Sequence, residues 1–199
     1  MSRPTERRRA STGLLGAVVI AVGWAGAGCA AAITEVGSRT AGSDATFVSF
    51  VEQGGFAALP RADVLIGGDA DADADAALRV TAVVADTPDA RSRGLMGVTE
   101  VPEGVGMLFA FPDAAGPERP GFWMRDTLVP LDIAFAADGV VVGVATMQPC
   151  TAAPCPVTHP GVDYDVALEV TAGALDAAGV GVGDRFVWRV EEGAGGDAR

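Results

Sequence analysis

The stretch Phe122-Trp123-Met124-Arg125-Asp126-Thr127, closed by Pro130-Leu131-Asp132-Ile133, brings an indole, a guanidinium and two carboxylates close together in the chain. Arg93, in the run Arg91-Ser92-Arg93-Gly94-Leu95-Met96-Gly97, and Glu169, in Ala167-Leu168-Glu169-Val170, add a second cation and a third acid. A guanidinium at Arg93 or Arg125 can hold a carboxylate or phosphate through two parallel hydrogen bonds. The Trp123 indole can stack on a sugar or planar ring, and Asp126, Asp132 and Glu169 can orient hydroxyl groups. Paired carboxylates are also the minimum equipment of a glycoside hydrolase. The competing reading is structural: Arg and Asp pair with each other while Trp123 packs in the core.

Other chemistries find less support. A serine hydrolase needs a His base and an orienting acid, but Ser92 is the only serine after Phe50 and His159 is the only histidine. The thioethers of Met96, Met107, Met124 and Met147 suit Cu(I), yet no Met-x-x-Met run or supporting His accompanies them, and Met is an equally good core filler. The alternating Asp69, Asp71, Asp73 and Asp75 lack the Gly and Glu of a calcium loop, since Ala74 and Val80 stand at those places. They read as a solvated hairpin loop. No catalytic set, metal site or cofactor is therefore expected, and the polar string reads as a binding rim.

The chain has 199 residues and a formal charge of −12, which opposes binding to a phosphate backbone and excludes nucleic acid as a partner. Its first thirty residues have the layout of an export signal: Arg3, Arg7, Arg8 and Arg9, then an uncharged run from Gly13 to Gly28, then Cys29. The small residues before Cys29 resemble a bacterial lipobox, which implies lipidation of Cys29. Plain cleavage near Ala30 to Ala32 and an uncleaved anchor are the alternatives. Loss of residues 1–28 removes four arginines and Glu6, turning 14 basic and 26 acidic side chains into 10 and 25. The resulting net of −15 leaves a lipid as the means of membrane attachment.

With Cys29 lipidated, Cys150 and Cys155 remain to pair in an oxidising compartment. Their short loop gives a local clamp worth roughly 2 kcal/mol by the chain-entropy estimate. A redox exchanger would use C-x-x-C at a helix start, and a metal site would need more Cys or His nearby.

The elements that must position these residues are short. With 27 glycines and 12 prolines but 6 % aromatic residues, the composition favours strands joined by turns. Strands are expected at Thr46–Val51, Asp63–Ile66, Leu78–Ala85, Gly106–Phe111, Gly121–Met124, Leu131–Ala136, Val140–Met147, Asp163–Val170 and Arg185–Val190. Thr87-Pro88-Asp89 marks a helix start, ending by Gly94 or Gly97, and Gly173 to Ala178 forms another short helix closed by Gly179. Asp138-Gly139 supplies the positive φ angles of a tight hairpin. The fold class is mainly β, a small β sandwich or barrel of about eight strands with one or two short helices. Residues 1–28 form the signal, 29–45 a flexible tether, 46–191 one domain and 192–199 a loose tail.

The motifs around Arg93, Gly106-Met107-Leu108-Phe109 and Trp123, taken in order with the Cys150–Cys155 loop and Ala167–Val170, resemble the bacterial and archaeal domain-of-unknown-function family 192 over about residues 61–190. The resemblance implies a small, often exported β domain and no established reaction. The chain departs from the family pattern at Val98, where a basic residue is common, and at Val157 to Pro160, where an aromatic and a serine are common.

The combined reading is a non-catalytic, exported, lipid-anchored monomer at the outer face of the cell membrane or in the periplasm. It binds a small polar ligand or envelope component through Arg93, Trp123, Arg125, Asp126, Asp132 and Glu169. The alternatives are a carbohydrate-active hydrolase and a purely structural lipoprotein.

Overall fold

The structure is a computed structural model that describes residues 43–68, 76–111 and 121–191. Cys29, the export segment, the tether up to residue 42, the aspartate alternation at 69–75 and the tail from 192 lie outside the described residues. Among the described residues no helix is long and apolar enough to cross a membrane.

The first element corrects one expectation. Thr46–Val51 is not a strand but part of α1 (Asp44–Gly54). Ser43 caps it, its Oγ accepting from the Thr46 N–H at 3.3 Å, and Asp44 favours the dipole in the first turn. Gly55 closes it in the left-handed conformation, with φ 65°. Phe47, Phe50 and Gly54 face the core while Val48 is exposed. The apolar spacing is thus the three-to-four-residue repeat of a helix, which a short window confuses with alternation.

Nine strands follow among the described residues: β1 (Arg61–Ile66), β2 (Leu78–Ala85), β3 (Val105–Ala110), β4 (Phe122–Trp123), β5 (Leu131–Ala137), β6 (Val140–Met147), β7 (Val157–Thr158), β8 (Val166–Thr171) and β9 (Phe186–Val190). The helices α2 (Pro88–Arg93) and α3 (Ala174–Ala177) fall where the Pro and Gly punctuation puts them. Thr87 caps α2 by accepting from the Ala90 N–H at 3.2 Å. β7 is the strand that the sequence does not announce, being two residues inside a proline-flanked loop.

Seven strands form one sheet in the order β6-β5-β8-β3-β2-β1-β9, and β4 pairs with β7 in a separate two-stranded arm. Within the large sheet only β2 and β3 run parallel, the chain crossing between them through α2. The sheet curls into a half-barrel. Near its ends the Val141 N–H donates to the Asp184 carbonyl and the Phe186 N–H to that of Gly139, each at 2.8 Å. Asp138 and Gly139 have φ of 51° and 77°, the tight turn that sets the β5–β6 register.

Each face of the sheet carries its own apolar cluster. One contains Val64, Ile66, Leu108, Leu168 and Phe186 and is covered in part by α3 through Leu175. The other contains Met107, Phe109, Ile133, Phe135 and Tyr164 and is covered by α1 through Phe47 and Phe50. Met124 and Met147 pack in this second cluster beside Met107, as core residues.

Candidate functional site

The second face is incompletely filled. A cavity of about 620 Å³ opens between α2 with its following turn on one side and the β4–β7 arm on the other. Its walls include Arg91, Arg93 and Met96 from the first side, and Gly121, Phe122, Trp123 and Val157 from the second. Phe109, Phe111 and Glu169 enter from β3, its end, and β8. The rings interlock: Phe109 meets Phe122 edge-on at 4.8 Å, and Phe122 meets Phe135 at 5.6 Å.

The arm is held in place by close backbone contacts. A Cβ on Gly121 would collide with Val157 and sit 2.9 Å from the Thr158 carbonyl oxygen, so only glycine lets β4 lie against β7. The Cys150–Cys155 disulfide, with Cα atoms 5.7 Å apart, ties off the loop preceding β7. The Cys150 N–H donates to the Met124 carbonyl at 3.3 Å. Asp126 adopts a left-handed φ of 55°, which Asp tolerates better than most residues, and its carbonyl accepts from the Gly97 N–H at 2.8 Å. Much of the Trp-Met-Arg-Asp-Thr string therefore builds the scaffold that joins the arm to the turn after α2. Met124 and Thr127 are buried within it.

The six residues singled out from the sequence separate into three groups. Arg93, Trp123 and Glu169 line the cavity. Trp123 is 48 % exposed, so it is not the core tryptophan of the structural reading. Arg93 also fastens the end of α1, its Nη2 donating to the Gly54 carbonyl at 2.6 Å. Arg125 and Asp126 stand outside the cavity on the exposed turn, paired at 3.6 Å, with the Arg125 guanidinium 5.7 Å from the Trp123 ring.

Asp132 belongs elsewhere. It is 2 % exposed and fully engaged: one oxygen accepts from the Thr146 hydroxyl at 2.7 Å, the other from the N–H groups of Gly173 and Leu175 at 2.8 and 3.1 Å. It anchors the start of α3 rather than any ligand. The sheet register explains the divergence. Asp132 lies opposite Val170, whereas Glu169 lies opposite Ile133 and Met107, so the two carboxylates sit on opposite faces. Asp126, Asp132 and Glu169 are not brought together as the paired carboxylates of a glycosidase, and among the described residues Glu169 is the only acid in the cavity lining.

Glu169 is the unusual group. It is 4 % exposed, has no side-chain hydrogen-bond partner among the described residues, and touches the cavity. Desolvation pushes its carboxyl from the ordinary 4.5 up to about 8, so it is mostly protonated at neutral pH. Arg91, also in the wall, was not singled out from the sequence. Its Nη1 donates to the carbonyls of Asp86 and Ala110 at 2.6 and 2.9 Å, and its guanidinium lies 5.0 Å from the Phe111 ring. Its place beside Arg93 in one run was the available signal, but two residues apart on a helix do not share a face, so spacing did not predict that both would reach one cavity. His159 is exposed, its Nδ1 accepting from the Gly161 N–H at 2.9 Å.

The family model of uncharacterized ACR proteins, DUF192, matches residues 70–188, which is more than half of the chain. The chain belongs to the DUF192 family. Among solved structures, this DUF192 domain is similar to a protein of unknown function from Novosphingobium aromaticivorans. The two share 27 % identity over 63 % of this chain and 84 % of that one, with a TM-score of 0.50. It is also similar to a protein from Sinorhizobium meliloti described as a putative transcription regulator, at 26 % identity over 65 % and 95 % of the chains, with a TM-score of 0.53. No curated protein matches the chain. Of the two departures from the family pattern, Val98 is fully buried and Val157 stands in the cavity wall.

Proposed function

We propose that this DUF192 domain is a non-catalytic binding module of the cell envelope that seats a small ligand between α2 and the β4–β7 arm. One observation carries the reading: a buried carboxyl with no hydrogen-bond partner among the described residues faces a cavity walled by aromatic rings. Folded proteins rarely leave a buried polar group unsatisfied, and a bound molecule is one way to satisfy it. The volume is in the range that small organic ligands occupy. Of the rim first expected, Arg93 and Trp123 remain as contacts, with Glu169 at the floor. The description of the Sinorhizobium meliloti protein does not extend to this chain, whose charge of −12 opposes a phosphate backbone.

The test is an amide NMR titration of the full chain with mixtures of small aromatic compounds. Shifts should cluster at Arg93, Met96, Phe109 and Trp123; compounds that shift only other regions, or none that shift any, refute the reading. The envelope location rests on the basic and apolar segment before Cys29 and on the Cys150–Cys155 disulfide. Metabolic labelling with a palmitate analogue should mark the wild-type chain and not Cys29→Ala. Equal labelling, or none in either, removes the lipid anchor from the proposal.

A further inference from the structure

We infer that the ligand is a small aromatic compound bearing a carbonyl-type oxygen, which accepts a hydrogen bond from the Glu169 side chain at the floor of the cavity. This rests on the cavity reading above and narrows it to a ligand class.

Three features select that class. The rings of Phe109, Phe111, Phe122 and Trp123 present faces and edges on which a planar body packs. Glu169 lies between Met107 and Ile133, both without solvent exposure, so no neighbour across the sheet offers it a polar partner. Burial keeps its carboxyl protonated at neutral pH, which makes it a donor.

The walls disfavour a cationic ligand. Among the described lining residues Arg91 and Arg93 carry the formal charges other than Glu169, and their hydrogen bonds there go to backbone carbonyls rather than to carboxylates. An organic cation would meet two uncompensated positive charges and would require Glu169 to ionise away from water. A ligand group with neither donor nor acceptor would leave the carboxyl unsatisfied. A carbonyl-type acceptor meets both conditions.

The experiment compares three probes of one size, acetophenone, ethylbenzene and benzylamine, by NMR titration of the full chain at pH 6.5, where benzylamine is cationic. Acetophenone should bind roughly fivefold to tenfold more tightly than ethylbenzene, the worth of one hydrogen bond made by a buried group. Benzylamine should bind most weakly. Glu169→Leu should erase the preference for acetophenone, and Glu169→Gln, whose amide still donates, should retain it. Should Glu169→Leu fail to fold, the ¹³C resonance of the wild-type Glu169 carboxyl gives the same answer, moving with acetophenone and not with ethylbenzene.

Equal affinity for acetophenone and ethylbenzene overturns the inference while leaving the cavity reading intact. Tightest binding of benzylamine also overturns it, in favour of a cation site. Absence of any shift at the cavity with all three probes defeats the cavity reading itself, and the inference with it.

Discussion

Replacing Glu169 by Gln preserves the shape of the side chain and removes its titration. In the folded protein the carboxyl titrates at about 8, against an ordinary 4.5, because burial disfavours the charged form. Between those values the folded state binds more protons than the unfolded chain, so stability must fall as pH rises. The contribution is fully present below 4.5, declines through the window and is constant above about 8. The full displacement corresponds to a ceiling of roughly 5 kcal/mol, and hydration of the carboxylate from the cavity brings the loss below it. Urea unfolding of wild type and Glu169→Gln at intervals from pH 5 to 9 measures the difference, in which titrations common to both proteins cancel. The variant should gain on wild type by a few kcal/mol between pH 5 and 9. Parallel curves would mean that Glu169 ionises freely in the folded protein, and the account of its surroundings would be wrong.

Asp132→Ala should cost about 3 kcal/mol in the same assay, because it strands the buried N–H groups of Gly173 and Leu175 and the Thr146 hydroxyl. Acetophenone affinity should stay unchanged, since Asp132 is on the other face of the sheet; a parallel loss of binding would contradict the register. Trp123→Ala should alter stability by less than about 1 kcal/mol, given its exposure, yet weaken aromatic probes severalfold; unaltered affinity would place the ligand away from the arm. The paired change of Cys150 and Cys155 to Ser should lower stability by about 2 kcal/mol. Its hydrogen-exchange signature should be confined to β4, β7 and the loop between the cysteines, and a global change in protection would refute a local clamp.

Local punctuation was enough to locate most elements. Thr87-Pro88 starts α2, Asp138-Gly139 turns β5 into β6, and the β-branched run Leu78–Ala85 is β2. These depend on φ preferences and caps within a few residues, which the chain states directly. The signal for α1 is ambiguous because Phe47, Val48, Phe50 and Val51 fit both periods over so short a span, and its deciding residues, Ser43 and Gly55, lie at its ends. β7 could not be read because two residues form a strand only when β4 lies beside them.

By itself the sequence determined most of the element types, the family motifs, the acidic balance and the pairing of the last two cysteines. The half-barrel, the cavity and the roles of the acids were decided by tertiary structure. Asp132 and Glu169 look equivalent along the chain, each a lone acid in an apolar strand. Register turns one toward the N–H groups at the start of α3, where three hydrogen bonds hold it, and the other toward rings, where none does. Side chains alternate faces with every residue, so a difference of one position in pairing reverses those fates, and pairing is settled between strands distant in sequence.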